Sequence, residues 1–380
     1  MYKIAIVTTT RAEYGLLYPL IRGMVEDDEL ELKLIVSGTH LSKKHGYTIG
    51  EIIKDGFSIA HIIPIMEDGN LPYDISIIMA NAIRKFAECF REDRPDMLVI
   101  SGDRTEMMAI ACAAMNERIP MAHYSGGEVT EGAIDDCIRH SLTKMSYLHF
   151  TSTEIYRRRV IRLGEDPKRV FNVGALGMEN IMKAPLLDER EIRQEEQIPL
   201  NMKYIVVTFH PVTLETSSAG TEAEEICKAM DKKNDYFYLI TKANADAEGD
   251  EINHIFEVYA MKHNNAKLVD SLGMLRYLSA IKYAALVLGN SSSGMVEAAI
   301  LGTPTVNIGD RQKGRISTET VVNCRPEEEQ IIEAIQRAEN IPHRGTNIYG
   351  MGDASRQILM IIKETLRQGK INLKKGFYEG

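Results

Sequence analysis

An α/β fold of two doubly wound, parallel-sheet domains is what this sequence predicts, on three observations. Short apolar runs such as Ile4-Ala5-Ile6-Val7 and Met97-Leu98-Val99-Ile100 alternate with helical stretches along the chain. Runs that are apolar throughout, rather than at every second residue, are expected of strands covered by helices on both faces. Repeated strand–helix units imply a parallel sheet. Finally, 380 residues exceed the size at which one hydrophobic core keeps growing, so two domains are expected.

In the first domain, residues 1–185, strands are expected at 3–8, 31–37, 59–65, 96–101, 120–124 and 148–151, with helices such as 73–91 and 105–117 between them. A charged stretch between Pro185 and Pro199 then leads into the second domain, 186–380. There the alternation restarts, with strands at 204–209, 236–241, 267–269, 286–289 and 305–308. Helices are expected at 222–232, 250–263 and 274–283, and as a run over 295–301. Two more, at 327–339 and 354–367, close the chain, the last able to pack back on the first domain. Ligands of open α/β sheets bind at the carboxyl ends of the strands. A cleft where the two domains face each other is therefore the expected site, and residues just after strands are its candidates.

Composition narrows the function. Hydrophobic residues at 44% and charged residues at 26% describe a globular chain rather than a disordered one. With 45 Lys and Arg against 54 Asp and Glu, the net charge is −9, and a nucleic-acid partner, which calls for a basic excess, is not expected. An acidic protein can still hold a diphosphate with local cations and backbone N–H groups. Met1-Tyr2-Lys3 runs straight into the first strand and no apolar run reaches membrane-spanning length, so neither a signal peptide nor a membrane partner is expected. The five cysteines show no C-x-x-C spacing, which fits reduced thiols in the cytoplasm. No metal-ligand spacing such as H-E-x-x-H occurs, and no metal is expected.

Six strand-end segments carry the chemistry. Gly289-Asn290-Ser291-Ser292-Ser293-Gly294 offers small residues, hydroxyls and a helix start, a combination suited to phosphate, although one serine could simply cap a helix. Glu297, one turn on, could take ribose hydroxyls or be a solvated helix charge. In Thr8-Thr9-Thr10-Arg11-Ala12-Glu13, Arg11 suits a diphosphate, and the missing glycines speak against a dinucleotide fingerprint. Asp103, in Ser101-Gly102-Asp103-Arg104, is either a helix cap or a cleft carboxylate. Glu128 follows the paired glycines of His123-Tyr124-Ser125-Gly126-Gly127. Two carboxylates from consecutive strand ends can be driven apart in pKa to give one acid and one base. Asp135 and Arg139, four apart on a helix, could be a surface ion pair or a carboxylate beside a phosphate-binding cation. His210, in Phe209-His210-Pro211, is a candidate for proton transfer.

These segments, in this order, resemble the UDP-N-acetylglucosamine 2-epimerase family, and the likeness runs over essentially the whole chain. It implies two Rossmann-like domains of the glycosyltransferase-B type with the active site between them. The nearer likeness is to the hydrolysing branch, which makes precursors of sialic and other nonulosonic acids. Thr10-Arg11-Ala12-Glu13-Tyr14-Gly15, Gly102-Asp103-Arg104, Gly126-Gly127-Glu128-Val129-Thr130, Ile134-Asp135-Asp136 with Arg139-His140, and Asn290-Ser291-Ser292-Ser293-Gly294 carry it. The non-hydrolysing branch shows H-x-E-A-G-L-R at His123–Glu128 and a His-Arg-Arg-Glu run at His210-Pro211-Val212-Thr213, and this chain departs from both.

The resemblance implies removal of the C2 proton as UDP leaves C1, then addition of water to the glycal with reprotonation on the opposite face. Asp103, Glu128, Asp135 and His210 would be catalytic, with Asp136 an alternative to Asp135. Arg11, Arg104, Arg139, Ser291, Ser292, Ser293, Gly294, Glu297 and Arg315 would bind substrate. Neither cofactor nor metal is implied; the partners are the nucleotide sugar, the UDP product and further copies in a homodimer or homotetramer. Within the family the rival is a 2,4-diacetamido-trideoxy sugar on UDP or GDP, whose pocket Gly38-Thr39-His40-Leu41 could help shape. A glycosyltransferase on the same fold, needing an acceptor site, and a sugar-nucleotide sensor are rivals of other classes.

Overall fold

The computed structural model describes the chain except residues 44–46, 68–70, 131–133, 212–218, 244–248 and 370. Two parallel sheets organise it. The first comprises β1 (Tyr2–Thr8), β2 (Leu30–Ser37), β3 (Ile59–Ile63), β4 (Met97–Ser101), β5 (Met121–Tyr124), β6 (Leu148–Thr151) and β7 (Val170–Asn172), in the order β3-β2-β1-β4-β5-β6-β7. The second comprises β8 (Lys203–Thr208), β9 (Tyr236–Thr241), β10 (Ala266–Val269), β11 (Leu286–Gly289), β12 (Thr305–Ile308) and β13 (Val321–Cys324), in the order β10-β9-β8-β11-β12-β13. Both have the doubly wound order, with the chain reversing direction between β1 and β4 and again between β8 and β11. Each switch point opens a crevice at the carboxyl ends of its own sheet's strands.

The chain divides into two compact units, one of residues Met1–Val129, Ala133–Met182 and Ile348–Gly380, the other of Thr130–Gly132 and Lys183–Asn347. In the first unit Ile4, Ile6, Met97 and Val99 on one face of the sheet pack with Leu17, Leu20, Ile358 and Ile362, while Val7, Leu98 and Ile100 on the other pack with Phe86, Phe90 and Ile110. Continuous apolar strands are thus buried on both sides. The closing helix Ala354–Arg367 lies against the helix Arg11–Val25 so closely that a Cβ on Gly23 would sit 2.8 Å from Leu359 Cδ1. In the second unit Ile205, Val207, Tyr238 and Ile240 pack with Ile226, Phe256 and Ile331, and Tyr204, Val206 and Leu239 with Ile192 and Ala280.

Two strands escape the sequence reading. β7 and β13 are edge strands of three and four residues, too short for a periodic signal to outweigh the turns around them. The expected helical run over 295–301 is also corrected. It is two short helices, Ser292–Met295 and Glu297–Leu301, meeting at Val296. The Thr305 hydroxyl donates to the Gly294 carbonyl at 2.9 Å, capturing an acceptor that a continuous helix would use. Among the described residues no helix is long and apolar enough to cross a membrane.

Candidate functional site

In the first unit the candidates gather at the carboxyl ends of β1, β4 and β5. Asp103 does not cap the following helix. That position falls to Arg104, which makes no side-chain cap bond. The Asp103 carboxylate is instead bound by the Arg139 guanidinium, which also donates to the Glu128 carbonyl at 3.1 Å and to Asp136 Oδ1 at 3.3 Å. Its side chain is only 3% exposed, so of the two roles open to Asp135 and Arg139 the surface ion pair is excluded. Arg139 is interior, and Asp136, one turn before it on the helix Ile134–Met145, takes the place given to Asp135. His140 Nε2 lies 3.3 Å from the other oxygen of Asp136. A buried guanidinium needs several acceptors to offset its desolvation. Meeting that need draws the Asp103 loop, the Glu128 turn and the helix around one cation.

The Glu128 turn is tightly formed. Ser125 and Gly127 have φ of +71° and +80°, and a Cβ on Gly127 would lie 2.4 Å from the Tyr156 carbonyl oxygen. Only glycine meets both demands at position 127, while the left-handed Ser125 is the kind of local strain that collects at functional sites. Ser152 Oγ donates to Glu128 Oε1 at 3.4 Å. Arg159 holds the Gly127 carbonyl at 3.3 Å.

At β1 the Thr10 hydroxyl caps the helix by accepting from the Glu13 N–H at 3.2 Å. Arg11 turns to Glu51, 3.1 Å away, with its side chain 60% exposed; no other candidate cation is so open to solvent. Glu13, to which the sequence reading gave no role, accepts from the Thr9 N–H at 2.7 Å and its hydroxyl at 3.0 Å. Burial pushes its pKa up to about 7 against those bonds. The charges of Glu106, Glu13 and Asp135 all act on Arg104, which makes a second cation-centred group beside the first. His40 is fully buried, its ring nitrogens 3.0 Å from Thr8 Oγ1 and 2.7 Å from Thr48 Oγ1. The segment Gly38–Leu41 thus fastens the end of β1, and His40 itself presents no surface to a ligand.

In the second unit the candidates lie at the ends of β8, β11 and β12. The Asn290 side chain clasps the His210 backbone, accepting from its N–H and donating to its carbonyl, both at 2.7 Å. Arg311 and Gln312 donate to the Asn290 carbonyl at 3.1 and 2.8 Å. Ser291 caps the short helix by accepting from the Ser293 N–H at 3.3 Å, the structural role foreseen for one serine. The Tyr277 hydroxyl lies 3.3 Å from Thr208 Oγ1 beneath this loop. Glu297 is half-buried, its pKa raised by burial and countered by the charge of Arg315, so it is not the solvated helix charge of the plainer reading. Arg311, Gln312 and Tyr277 were missed, and Asn290 was read only as part of the serine loop, because their contribution is pairing across strands, which spacing along the chain does not encode. Val212 and Thr213, part of the departure from the non-hydrolysing pattern, lie outside the described residues.

Three interior histidines carry a pH prediction. Burial lowers the pKa of His40 and His210 to about 4, helped at His210 by Arg311, and that of His123 to about 3. The unfolded chain therefore takes up protons first as pH falls below the ordinary histidine value of about 6.5. Stability from the neutral rings is complete above that value and is lost as pH falls towards 4. The unfolding midpoint of wild type is expected to fall relative to that of His210→Gln over this interval, whichever is higher at pH 7. A gap that widens with acidification in favour of wild type would contradict the assignment.

Comparison with known proteins gives the family. A sequence model of the family described as UDP-N-acetylglucosamine 2-epimerase matches residues 23–363. The chain belongs to that family. It falls within the hydrolysing branch. The chain is 42% identical over 322 residues to the Campylobacter jejuni GDP/UDP-N,N'-diacetylbacillosamine 2-epimerase (hydrolyzing), covering 84% of each. It is 36% identical to the Escherichia coli polysialic acid biosynthesis protein P7, covering all of this chain and 98% of that one. Among solved structures, that of UDP-GlcNAc 2-epimerase from Neisseria meningitidis bound to UDP-GlcNAc shares the fold. Its TM-score is 0.82 at 19% identity, over 95% of this chain and 100% of that one.

Proposed function

We propose that this member of the UDP-N-acetylglucosamine 2-epimerase family is a hydrolysing 2-epimerase that converts UDP-N-acetylglucosamine and water to N-acetylmannosamine and UDP. The observation that carries the reading is the constellation at β4 and β5, where a buried Arg139 binds the Asp103 carboxylate and the Glu128 main chain together. Elimination of a nucleoside diphosphate across C1 and C2 needs a base for the C2 proton and stabilisation of the leaving diphosphate. Hydration of the resulting glycal then needs water at C1 and a proton at C2 from the other face. Asp103 and Glu128 are the leading acid and base, with Asp135 or Asp136 and His210 in support. Arg11, Arg104, Arg139, Arg315, the serine loop with Gly294, and Glu297 would hold the nucleotide. His210, kept neutral by burial, could accept a proton or donate a hydrogen bond at working pH. The enzyme would act in the cytoplasm as a homodimer or homotetramer.

A second reading has its own support. A relative at 42% identity is named for N,N'-diacetylbacillosamine on GDP or UDP, which favours a 2,4-diacetamido-trideoxy sugar. Incubating the purified protein with each nucleotide sugar and following free-sugar release by NMR separates the two. The substrate should show the higher kcat/KM by at least about tenfold, the worth of one well-placed polar contact. Release of UDP only on addition of a sugar acceptor would instead identify a glycosyltransferase.

A further inference from the structure

We propose that His123 is a positioning residue for this reaction, its ring holding in register the three segments that carry Asp103, Glu128 and Arg139. The inference rests on the reading of those groups as the reacting constellation. His123 lies within β5 and is fully buried, so it acts only through its neighbours. Its Nε2 stands 3.0 Å from the Gly102 carbonyl oxygen. A carbonyl can only accept, so the ring proton sits on Nε2, which leaves Nδ1 as an acceptor 3.3 Å from the Thr143 hydroxyl. That hydroxyl carries one proton, shared between Nδ1 and the Arg139 carbonyl one turn earlier, 3.0 Å away. A Cβ on Gly126 would come within 3.3 Å of Nδ1 and 3.1 Å of Thr143 Oγ1.

One imidazole therefore touches the loop before Asp103, the turn before Glu128 and the helix of Arg139. The Gly102 contact bears directly on chemistry. Gly102 has φ of +77°, and fixing its carbonyl fixes the peptide plane that leads into Asp103. Burial holds the ring neutral, with a pKa near 3, so a single tautomer serves both hydrogen-bonding contacts over the working pH range. A strand position facing the interior would ordinarily be apolar, as Ala122 is beside it. A buried polar ring is tolerated because its hydrogen bonds are met.

Steady-state kinetics of wild type, His123→Leu, His123→Gln and Thr143→Val on the preferred nucleotide sugar, with melting curves for each, test this. A displacement of about 1 Å costs on the order of 100-fold. His123→Leu is expected to lose roughly that in kcat with KM within about twofold, the pattern of an interaction realised in the transition state. His123→Gln, whose amide can still donate to the Gly102 carbonyl, should recover about tenfold of the loss, and Thr143→Val should lose about tenfold. A folded His123→Leu with wild-type kcat overturns the proposal, as do leucine and glutamine variants that lose activity equally with KM rising in step. Should His123→Leu fail to fold, an unchanged kcat in Thr143→Val overturns it. Wild-type protein that turns over no nucleotide sugar brings down the functional reading and this inference with it, an outcome distinct from active variants beside an active wild type.

Discussion

Glu128→Gln and Asp103→Asn are each expected to lower kcat by roughly 10²- to 10⁴-fold, the range that a positioned acid or base supplies. Both substitutions keep the size of the side chain, and in both the main-chain contacts of the segment survive. The Glu128 carbonyl that Arg139 binds is untouched in the glutamine variant. In Asp103→Asn the amide can still offer one oxygen to Arg139, so the buried guanidinium keeps an acceptor. Melting temperatures should therefore move by only a few degrees while turnover collapses. The two variants should differ in which half-reaction they block. One should release UDP and glycal without hydrating the glycal; the other should fail at elimination. Analysis of UDP and unsaturated sugar by NMR reads this directly, and near-normal turnover in both variants would dissolve the assignment.

Gly289→Ala is expected to be the most damaging single methyl in the second unit. Position 289 has φ of +134°, and an added Cβ would lie 2.0 Å from the Thr208 carbonyl oxygen across the β8–β11 pairing. That φ lies outside the wells open to a side chain, a cost of about 1–3 kcal/mol before the clash is counted. The partner is backbone in the middle of the sheet and cannot swing aside. A loss of about 3 kcal/mol would lower the unfolding midpoint by roughly 6–12 °C for a domain of this size. The strain also falls one residue before Asn290, which clasps His210, so nucleotide affinity should fall with stability. An alanine variant that melts with wild type and binds UDP equally well would show that the backbone is not held as described.

The alternation of apolar runs with helical stretches made the α/β class readable, because a strand covered on both faces must be apolar throughout, as Ile4–Val7 and Met97–Ile100 are. The edge strands Val170–Asn172 and Val321–Cys324 were illegible for the converse reason: a short strand paired on one side carries too few apolar residues to register. Strand ends pointed to Asp103 and Glu128 as candidates, since ligands of open α/β sheets bind at the carboxyl ends of the strands. What spacing could not convey was partnership. The i,i+4 rule favours Asp135 for Arg139, yet burial of the guanidinium among Asp103, Asp136 and the Glu128 carbonyl is decided by tertiary packing. Glu13 and Asn290 look like a first-turn helix charge and a turn residue in sequence. Their standing follows only once Thr9 and His210 are seen as the groups they hold.

Turnover in deuterated water tests the central claim most directly. Incubated with its nucleotide sugar and no acceptor, the protein should release free UDP and a free sugar inverted at C2. That sugar should carry one deuterium at C2, because elimination removes the original proton and hydration returns one from solvent. Release of free sugar with retained configuration and no C2 label would mean simple hydrolysis and would contradict the account.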